Sequence, residues 1–306
     1  MQYICMILNQ TLFQNHIFTI KSYVMKKIVN INNLEFRYKK QAKLLSNFNL
    51  VLTVGSINGL LGKNGEGKTT LLKLISGLLF PLHGKINVDG FEPRKRDPKM
   101  LYNIFLLPEE IPETSLSIKM YKEVYAPFYP DFSSTKFHGY LHEFTIDHGT
   151  KSISELSYGQ RKKFFIAFGL STNAKLVLLD EPTNGLDIPS KRQFRRLMTS
   201  AVEEKSCIVI STHQVLDLEE IIDNVIIMDN HDIVFNQLTE SINDKLLFKT
   251  AEVKENDKDV IYSEKTTDGH HQILENKSGE KSKIDLELLF NAVLSDHHRI
   301  KELFKS

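Results

Sequence analysis

The stretch Gly62-Lys63-Asn64-Gly65-Glu66-Gly67-Lys68-Thr69-Thr70 decides how the rest of the chain is read. It lies between the apolar run Ile57–Leu61 and the helix-like run Leu71–Leu79, which together predict strand, glycine-rich turn, then helix. That is the context a phosphate-binding loop requires.

Each residue type in the loop has a physical task. Glycines at 62, 65 and 67 let the backbone take positive φ and come close to an anion, so successive N–H groups can point at phosphate oxygens. The following helix adds the positive end of its dipole. Lys68 can reach the β- and γ-phosphates, and the Thr69 hydroxyl can ligate the Mg2+ that bridges them. The expectation is a nucleotide-binding unit.

The 306 residues suffice for one large α/β core with an appendage, or for two modest domains. A composition of 41% hydrophobic and 25% charged residues is ordinary for a globular chain. The net charge of +1 supplies no global attraction to nucleic acid or to an anionic membrane, and no nucleic-acid partner is expected. The triplets Arg94-Lys95-Arg96 and Arg161-Lys162-Lys163 read as solvated faces. Cys5 and Cys207 suggest neither a disulfide nor a metal site; Cys207, inside the apolar run 207–210, reads as a small buried hydrophobe. No apolar run approaches the ~20 residues that span a bilayer.

Taken in order, residues 1–24 have neither a basic start nor a small-residue cleavage site, so they do not read as a signal peptide. They read as a leader that is disordered or not native, with synthesis expected to start at Met25. The pieces 28–31, 34–38, 47–54 and 57–61 are rich in strand formers and read together as a small antiparallel sheet ahead of the loop. Tyr38 ends the second piece, where it serves either to stack on a base or as an ordinary edge tyrosine. Beyond the loop, the helix is expected to run to Leu79, with short strands over 84–90 and 103–107. Residues 111–153 are rich in aromatics with helical spacing over 117–125 and 135–144, and read as a helical insertion.

Ser157 is a plausible N-cap for a helix carrying Phe164, Phe165 and Phe168 at core spacing. Leu176–Leu179 is a continuous apolar run, as for a parallel strand buried on both faces, and it ends in Asp180-Glu181. Pro189 fits the first turn of a helix through Met198. The strand 208–210 ends at Ser211-Thr212-His213, a short helix is expected over 215–222, and a hairpin turns around 230–232. Past Asn236, small strands at 260–262 and 272–274 and an amphipathic helix at 286–294 are expected. The pairs His270-His271 and His297-His298 do not read as metal ligands, because neighbouring strand residues point apart.

Ligands of open α/β sheets sit at the carboxyl ends of the parallel strands. Three apolar strands here end in candidate groups: Gly62–Thr69, Asp180-Glu181 and His213. Asp180 would hold Mg2+ through water, Glu181 would orient or deprotonate the attacking water, and His213 would bond the γ-phosphate or that water. That set describes a phosphate-binding hydrolase.

Leu156-Ser157-Tyr158-Gly159-Gln160 resembles the signature motif of ABC ATPases. Tyr38 is similar to that family's adenine-stacking aromatic, Gly62–Thr70 (Asn64 and Thr70 included) to its Walker A, and Leu176–Asp180 with Glu181 to its Walker B. Residues 184–187 resemble the D-loop, and His213 the switch histidine. The resemblance runs over residues 28–235, in family order, and is nearest to single-cassette ATP-binding subunits of bacterial transporters.

It implies an α/β fold with a phosphate-loop, RecA-like parallel core, an antiparallel β subdomain, a helical insertion subdomain and a small C-terminal α+β appendage. The implied partition is an ATPase domain over 25–238, with the insertion over about 111–165, and an accessory region over 239–306. ATP and Mg2+ are the implied cofactors. Two cassettes, as a homodimer or heterodimer, would close head to tail, so that Ser157, Gly159 and Gln160 complete the partner's γ-phosphate cradle and Asp187 lines the interface. Transmembrane permease subunits would be the further partners, and the location peripheral, on the cytoplasmic face of the plasma membrane. Where the family usually has glutamine after the strand at 103–107, this chain has Pro108-Glu109; Glu109 keeps an oxygen for Mg2+, with an added negative charge. The alternative function is a soluble ABC ATPase working on ribosome or DNA. A small-molecule kinase would not explain residues 156–160.

Overall fold

The computed structural model describes residues 26–304 apart from 40–41, 148–151, 203–204, 252–259 and 268; the leader over 1–24, with Cys5, lies outside the described residues. Strands β1 (Lys27–Phe36) and β2 (Leu45–Thr53) pair antiparallel, and β3 (Ser56–Gly62) leads through the glycine loop into helix α1 (Lys68–Ile75). Then β4 (His83–Val88), α2 (Pro98–Leu101) and β5 (Ile104–Leu107) precede the insertion helices α3 (Ile118–Tyr125) and α4 (Ser134–Glu143). Helix α5 (Tyr158–Ser171), β6 (Leu176–Asp180), α6 (Ile188–Ala201), β7 (Cys207–Thr212), β8 (Asn224–Asp229) and β9 (Asp232–Leu238) follow. The chain ends in α7 (Thr239–Lys245), β10 (Leu246–Ala251), β11 (Val260–Thr266), β12 (Gly269–Glu275), α8 (Leu286–Ser295) and α9 (His297–Leu303).

The organising layer is a six-stranded sheet in the order β5-β6-β7-β3-β8-β9. Its strands are parallel except β9, which returns antiparallel on β8. Side chains alternate across a strand, so this sheet sorts its residues into two cores. Leu60, Leu178, Val209, Ile226 and Met228 face a core shared with α1 and the first two strands. Their neighbours Leu61, Leu179, Ile208, Ile210 and Ile227 face a second core containing α5, α6 and the insertion. Each such leucine or isoleucine, fully buried, contributes roughly 1.5–3 kcal/mol, which holds the carboxyl ends of the strands in register.

Two expectations about strands are corrected. Residues 57–61 do not extend the antiparallel sheet: every residue of β3 is buried, and it pairs parallel with β7 and β8 at the sheet centre. The third antiparallel strand is β4, giving the order β2-β1-β4. The pieces at 28–31 and 34–38 are one strand, β1, irregular around Asn33 with φ of 48°.

Helix ends also differ. Helix α1 stops at Ile75, because Gly77 takes φ of 72° and the N–H groups of Leu78 and Leu79 turn back to the Lys73 carbonyl. Over 215–222 only the short turn Val215–Asp217 forms, although Val215, Leu218, Ile221 and Ile222 are buried as apolar spacing implies. His297 and His298 lie on α9, not on a strand, with ring centroids 4.2 Å apart.

The insertion grips α5 by aromatic contact. Tyr121 of α3 meets Phe164, Phe165 and Phe168 edge-on, with centroids 5.3, 5.5 and 5.1 Å away. The C-terminal elements form an antiparallel sheet, β10-β12-β11, with α8 and α9. Their side chains Ile273, Leu286, Leu289, Val293 and Ile300 belong to the same buried cluster as α5 and the main sheet.

Candidate functional site

The glycine loop ends β3 at the carboxyl edge of the main sheet. Gly65 and Gly67 take φ of 93° and 100°, the left-handed region that the loop was expected to need. Gly62 is required for a different reason: a Cβ there would lie 2.9 Å from the Met228 carbonyl oxygen of the neighbouring strand. Gly67 is also the N-cap of α1 and supplies no side-chain hydrogen bond, so no side chain occupies the amide groups of that first turn. Lys68 follows at once. It is buried, and its Nζ donates to the carbonyl oxygens of Gly62 (2.6 Å) and Lys63 (3.1 Å), 4.0 Å from Glu181 Oε1. Burial pushes its pKa down, against the upward pull of the Glu181, Asp180, Glu109 and Glu66 carboxylates.

An open cleft of about 380 Å³ lies over this loop, lined by Tyr38, Asn64, Gly65, Gly67, Lys68, Thr69, Thr70, Glu109 and Glu181, with Leu44 at its rim. Tyr38 is held there by a 2.9 Å hydrogen bond to Thr70 Oγ1 and by the edge of Phe36, with centroids 5.0 Å apart. Its ring thus lines the cleft together with Glu109 and Glu181.

The carboxylates come from β6 and are fixed by β7. Asp180 is buried and accepts a short hydrogen bond from Ser211 Oγ. Glu181 accepts from Thr212 Oγ1 (3.0 Å), from the His213 N–H (3.0 Å) and faces His213 Nδ1 at 2.8 Å. A proton on Nδ1 in that contact leaves Nε2 as the acceptor of the ring. Glu181 has φ of 46°, left-handed for a residue with a Cβ. Such a conformation costs ~1–3 kcal/mol and persists where surrounding bonds over-determine it.

Glu109 is exposed in the loop after β5, and its carbonyl accepts from Tyr158 Oη at 3.3 Å. Among the described residues no group of three or more His, Cys, Asp or Glu side chains gathers as a metal cage. Asp180, the Thr69 hydroxyl and Glu109 are hard oxygen donors, the set Mg2+ uses when waters and phosphates complete its octahedron.

Ser157, Gly159, Gln160 and Asp187 are not brought to this cleft. Ser157 caps α5 as expected: its Oγ accepts from the Gln160 N–H (3.2 Å) while Gln160 Oε1 accepts from the Ser157 N–H (3.0 Å), a complete capping box. Gln160 therefore already has a structural task within its own chain. Gly159 packs on the loop after β6, where a Cβ would stand 3.3 Å from the Gly185 carbonyl oxygen. Asp187 is exposed and caps α6, accepting from the Ser190 N–H at 2.8 Å. The Ser190 hydroxyl and N–H hold its carboxyl below the ordinary range.

One residue here was misread from the sequence. Within Arg161-Lys162-Lys163, taken as a solvated face, Lys162 has no exposure at all. Its Nζ donates to the carbonyl oxygens of Glu181 (2.5 Å) and Asn184 (3.0 Å), and burial pushes its pKa down to about 8. On a helix three consecutive side chains point about 100° apart, so a triplet at a packed helix start turns one member inward; that signal was available.

A glycine loop capping a helix after β3, a carboxylate-bonded histidine after the adjacent β7 and buried carboxylates at the end of β6 beyond it define a phosphate-loop nucleoside triphosphatase. Residues 45–184 match the family described as ABC transporter. The chain is 33% identical over 185 residues to the ABC transporter ATP-binding protein YtrB of Bacillus subtilis (strain 168), covering 60% of this chain and 63% of that protein. To the ABC transporter ATP-binding protein NatA of the same organism it is 30% identical over 212 residues, covering 67% of this chain and 85% of that protein. A solved structure of the ATP binding subunit of an ABC transporter superposes with a TM-score of 0.64 at 23% identity, over 71% of this chain and 92% of that one, and shares the fold. The chain belongs to the family of ABC transporter ATP-binding proteins and is an ABC-type ATPase.

Proposed function

We propose that the chain is the energy subunit of an ABC membrane transporter, and that two cassettes, identical or not, close head to tail to hydrolyse ATP. One observation carries this reading: the cleft gathers the loop, Tyr38 and Glu181, while Ser157 and Gly159 stand outside it at a capped helix start. Across a two-fold axis, the Ser157 helix start of each chain can meet the cleft of the other, which completes both sites at once.

In this reading Tyr38 stacks on the base, the amides of Gly62, Asn64, Gly65 and Gly67 and the first turn of α1 cradle the phosphates, and Thr70 holds Tyr38 in place. Lys68 exchanges its carbonyl contacts for phosphate oxygens, an anion matching its charge better than a dipole does. Mg2+, held by Thr69 and Asp180 with Glu109 in reach, would neutralise charge on the phosphates. Glu181 takes the proton of the attacking water, and His213, bonded to it, turns its free face to the γ-phosphate. The signature residues Ser157, Gly159 and Gln160 of one chain then meet the γ-phosphate of the other, with Asp187 between them.

The insertion supports a permease partner. Met120, Val124 and Phe128, spaced along α3 and the turn Ala126–Phe128, are 51, 50 and 58% exposed, with Tyr125 beside them. An apolar stripe of that kind suits a cytoplasmic segment of a membrane protein. Among the described residues no helix is long and apolar enough to cross a membrane. A subunit that takes ATP and docks on a permease sits where ATP is supplied, and we place the chain peripherally on the cytoplasmic face. We assign residues 25–238 to the ATPase domain and 239–306 to an accessory region.

A dilution series tests the two-chain site. Specific ATPase activity is expected to rise with protein concentration and to fall away on dilution, at saturating Mg2+ and ATP. Equal specific activity across a wide range would mean that one chain holds a complete site.

A further inference from the structure

Lys162 belongs to the signature helix but serves the other half of the site. It lies in the second turn of α5, and its ammonium reaches two main-chain carbonyls on the segment after β6, those of Glu181 and Asn184. It lies 5.5 Å from the centroid of Tyr158, whose ring in turn packs against Gly185, where a Cβ would meet it at 2.7 Å. The start of α5 is thus bolted to the stretch that carries Glu181 and leads to Asp187.

The bolt bears on a strained residue. Glu181 sits in the left-handed region, where its carboxylate is restrained from β7 by Thr212 and His213. Its carbonyl oxygen is restrained from α5 by Lys162 alone among the side-chain bonds described. A completely buried ammonium whose hydrogen bonds go to neutral carbonyls, with the Tyr158 ring and the Glu109, Glu181 and Asp180 carboxylates offsetting only part of its desolvation, is expensive to keep. An apolar residue would fill the same space at lower cost.

We propose that Lys162 is a positioning residue for ATP hydrolysis: it fixes the Glu181 peptide and the Asn184 turn to the signature helix, so that the placement of Ser157 and Gly159 against a partner's ATP sets the carboxylate of its own site. This rests on the ATPase reading above. It links the two sites of a dimer through one side chain, and it acts on turnover while leaving nucleotide binding alone, because Lys162 does not line the cleft.

The test compares wild type with Lys162→Met and Lys162→Gln in the full chain. It uses equilibrium binding of a fluorescent ATP analogue, kcat and KM for ATP, and thermal midpoints to normalise for folded protein. Both replacements end about one bond short of the lysine Nζ and differ in what they offer there: methionine donates nothing, whereas glutamine keeps two N–H donors. Expected are a kcat loss of ~30-fold for Lys162→Met and ~5-fold for Lys162→Gln, each with nucleotide affinity within about threefold of wild type. Wild-type kcat in either variant overturns the proposal, as does a loss of nucleotide affinity matching the loss of kcat. If Lys162→Met does not fold, Lys162→Gln decides by the same criteria. A wild-type chain that binds the analogue but never hydrolyses ATP, alone or concentrated, refutes the ATPase reading instead.

Discussion

Two helices begin beside glycines here, and each carries a buried lysine whose Nζ donates to two main-chain carbonyls. At α1 the N-cap is Gly67, with no side-chain bond, and Lys68 rests on carbonyls of the loop itself beside an open cleft. At α5 the N-cap is Ser157 in a complete capping box, and Lys162 is sealed against the segment after β6. The first start is unfinished in its own chain and finishes itself on a ligand. The second is already satisfied, and its remaining donors can only be offered outward. In the proposed two-chain site, binding and triggering are therefore separated by how each helix terminus is capped.

The largest expected effect falls on the first lysine. Lys68→Met is expected to weaken equilibrium ATP binding about 100-fold, ~2.7 kcal/mol, since the cleft loses the one ammonium among its described lining residues. The matching change at Lys162 leaves binding within about threefold. Equal losses of affinity in the two variants, measured with the same nucleotide, would erase the distinction between the two helix starts.

A smaller effect separates the lysines by pH. Burial lowers the Lys162 pKa to about 8 from an ordinary 10.5. Below pH 8 the folded and unfolded chains both hold that proton, so it adds no pH dependence. Between about 8 and 10.5 the unfolded chain keeps the proton and the folded chain sheds it, so stability rises with pH. Lys68, shifted in the same direction, is common to wild type and Lys162→Met and cancels in their difference. Urea unfolding of the two proteins is expected to show wild type gaining on the variant across that window. A constant difference would mean that Lys162 is not desolvated in solution.

The phosphate loop was legible because its chemistry is local: Gly65, Gly67, Lys68 and Thr69 do their work within one turn of chain. Leu176–Leu179 was legible because a strand buried on both faces cannot alternate, and Ser157 because a cap acts on the next turn. Strand β3 was misplaced because the apolar run Ile57–Leu61 groups with the strand-like pieces ahead of it, and its pattern does not show where the polar residues Ser56 and Asn58 lie. Both are buried, with Asn58 bonded to the Ile208 carbonyl and to Asn224. Such polar partners lie far along the chain and leave no periodic trace. Lys162 was hidden for a related reason. A charge triplet suggests solvent when read as a unit; read residue by residue against the core spacing of Phe164, Phe165 and Phe168, it turns one member inward, and the packing of Tyr121 on those phenylalanines fixes that face of α5.

The smallest effect concerns Ser157 and separates its two tasks. As a cap, its Oγ accepts the Gln160 N–H. Alanine there should cost ~1 kcal/mol of stability, glycine only a few tenths. As a signature residue it would present the same hydroxyl to a partner's γ-phosphate, and both substitutions delete that hydroxyl equally. ATP affinity of the dilute chain should be unchanged in both, because Ser157 does not line the cleft. If hydrolysis at high protein concentration falls equally in Ser157→Ala and Ser157→Gly while their urea midpoints differ, the loss follows the hydroxyl. If activity instead tracks the midpoints, the serine matters only as a cap, and the outward donors of α5 reduce to the amides of Tyr158 and Gly159.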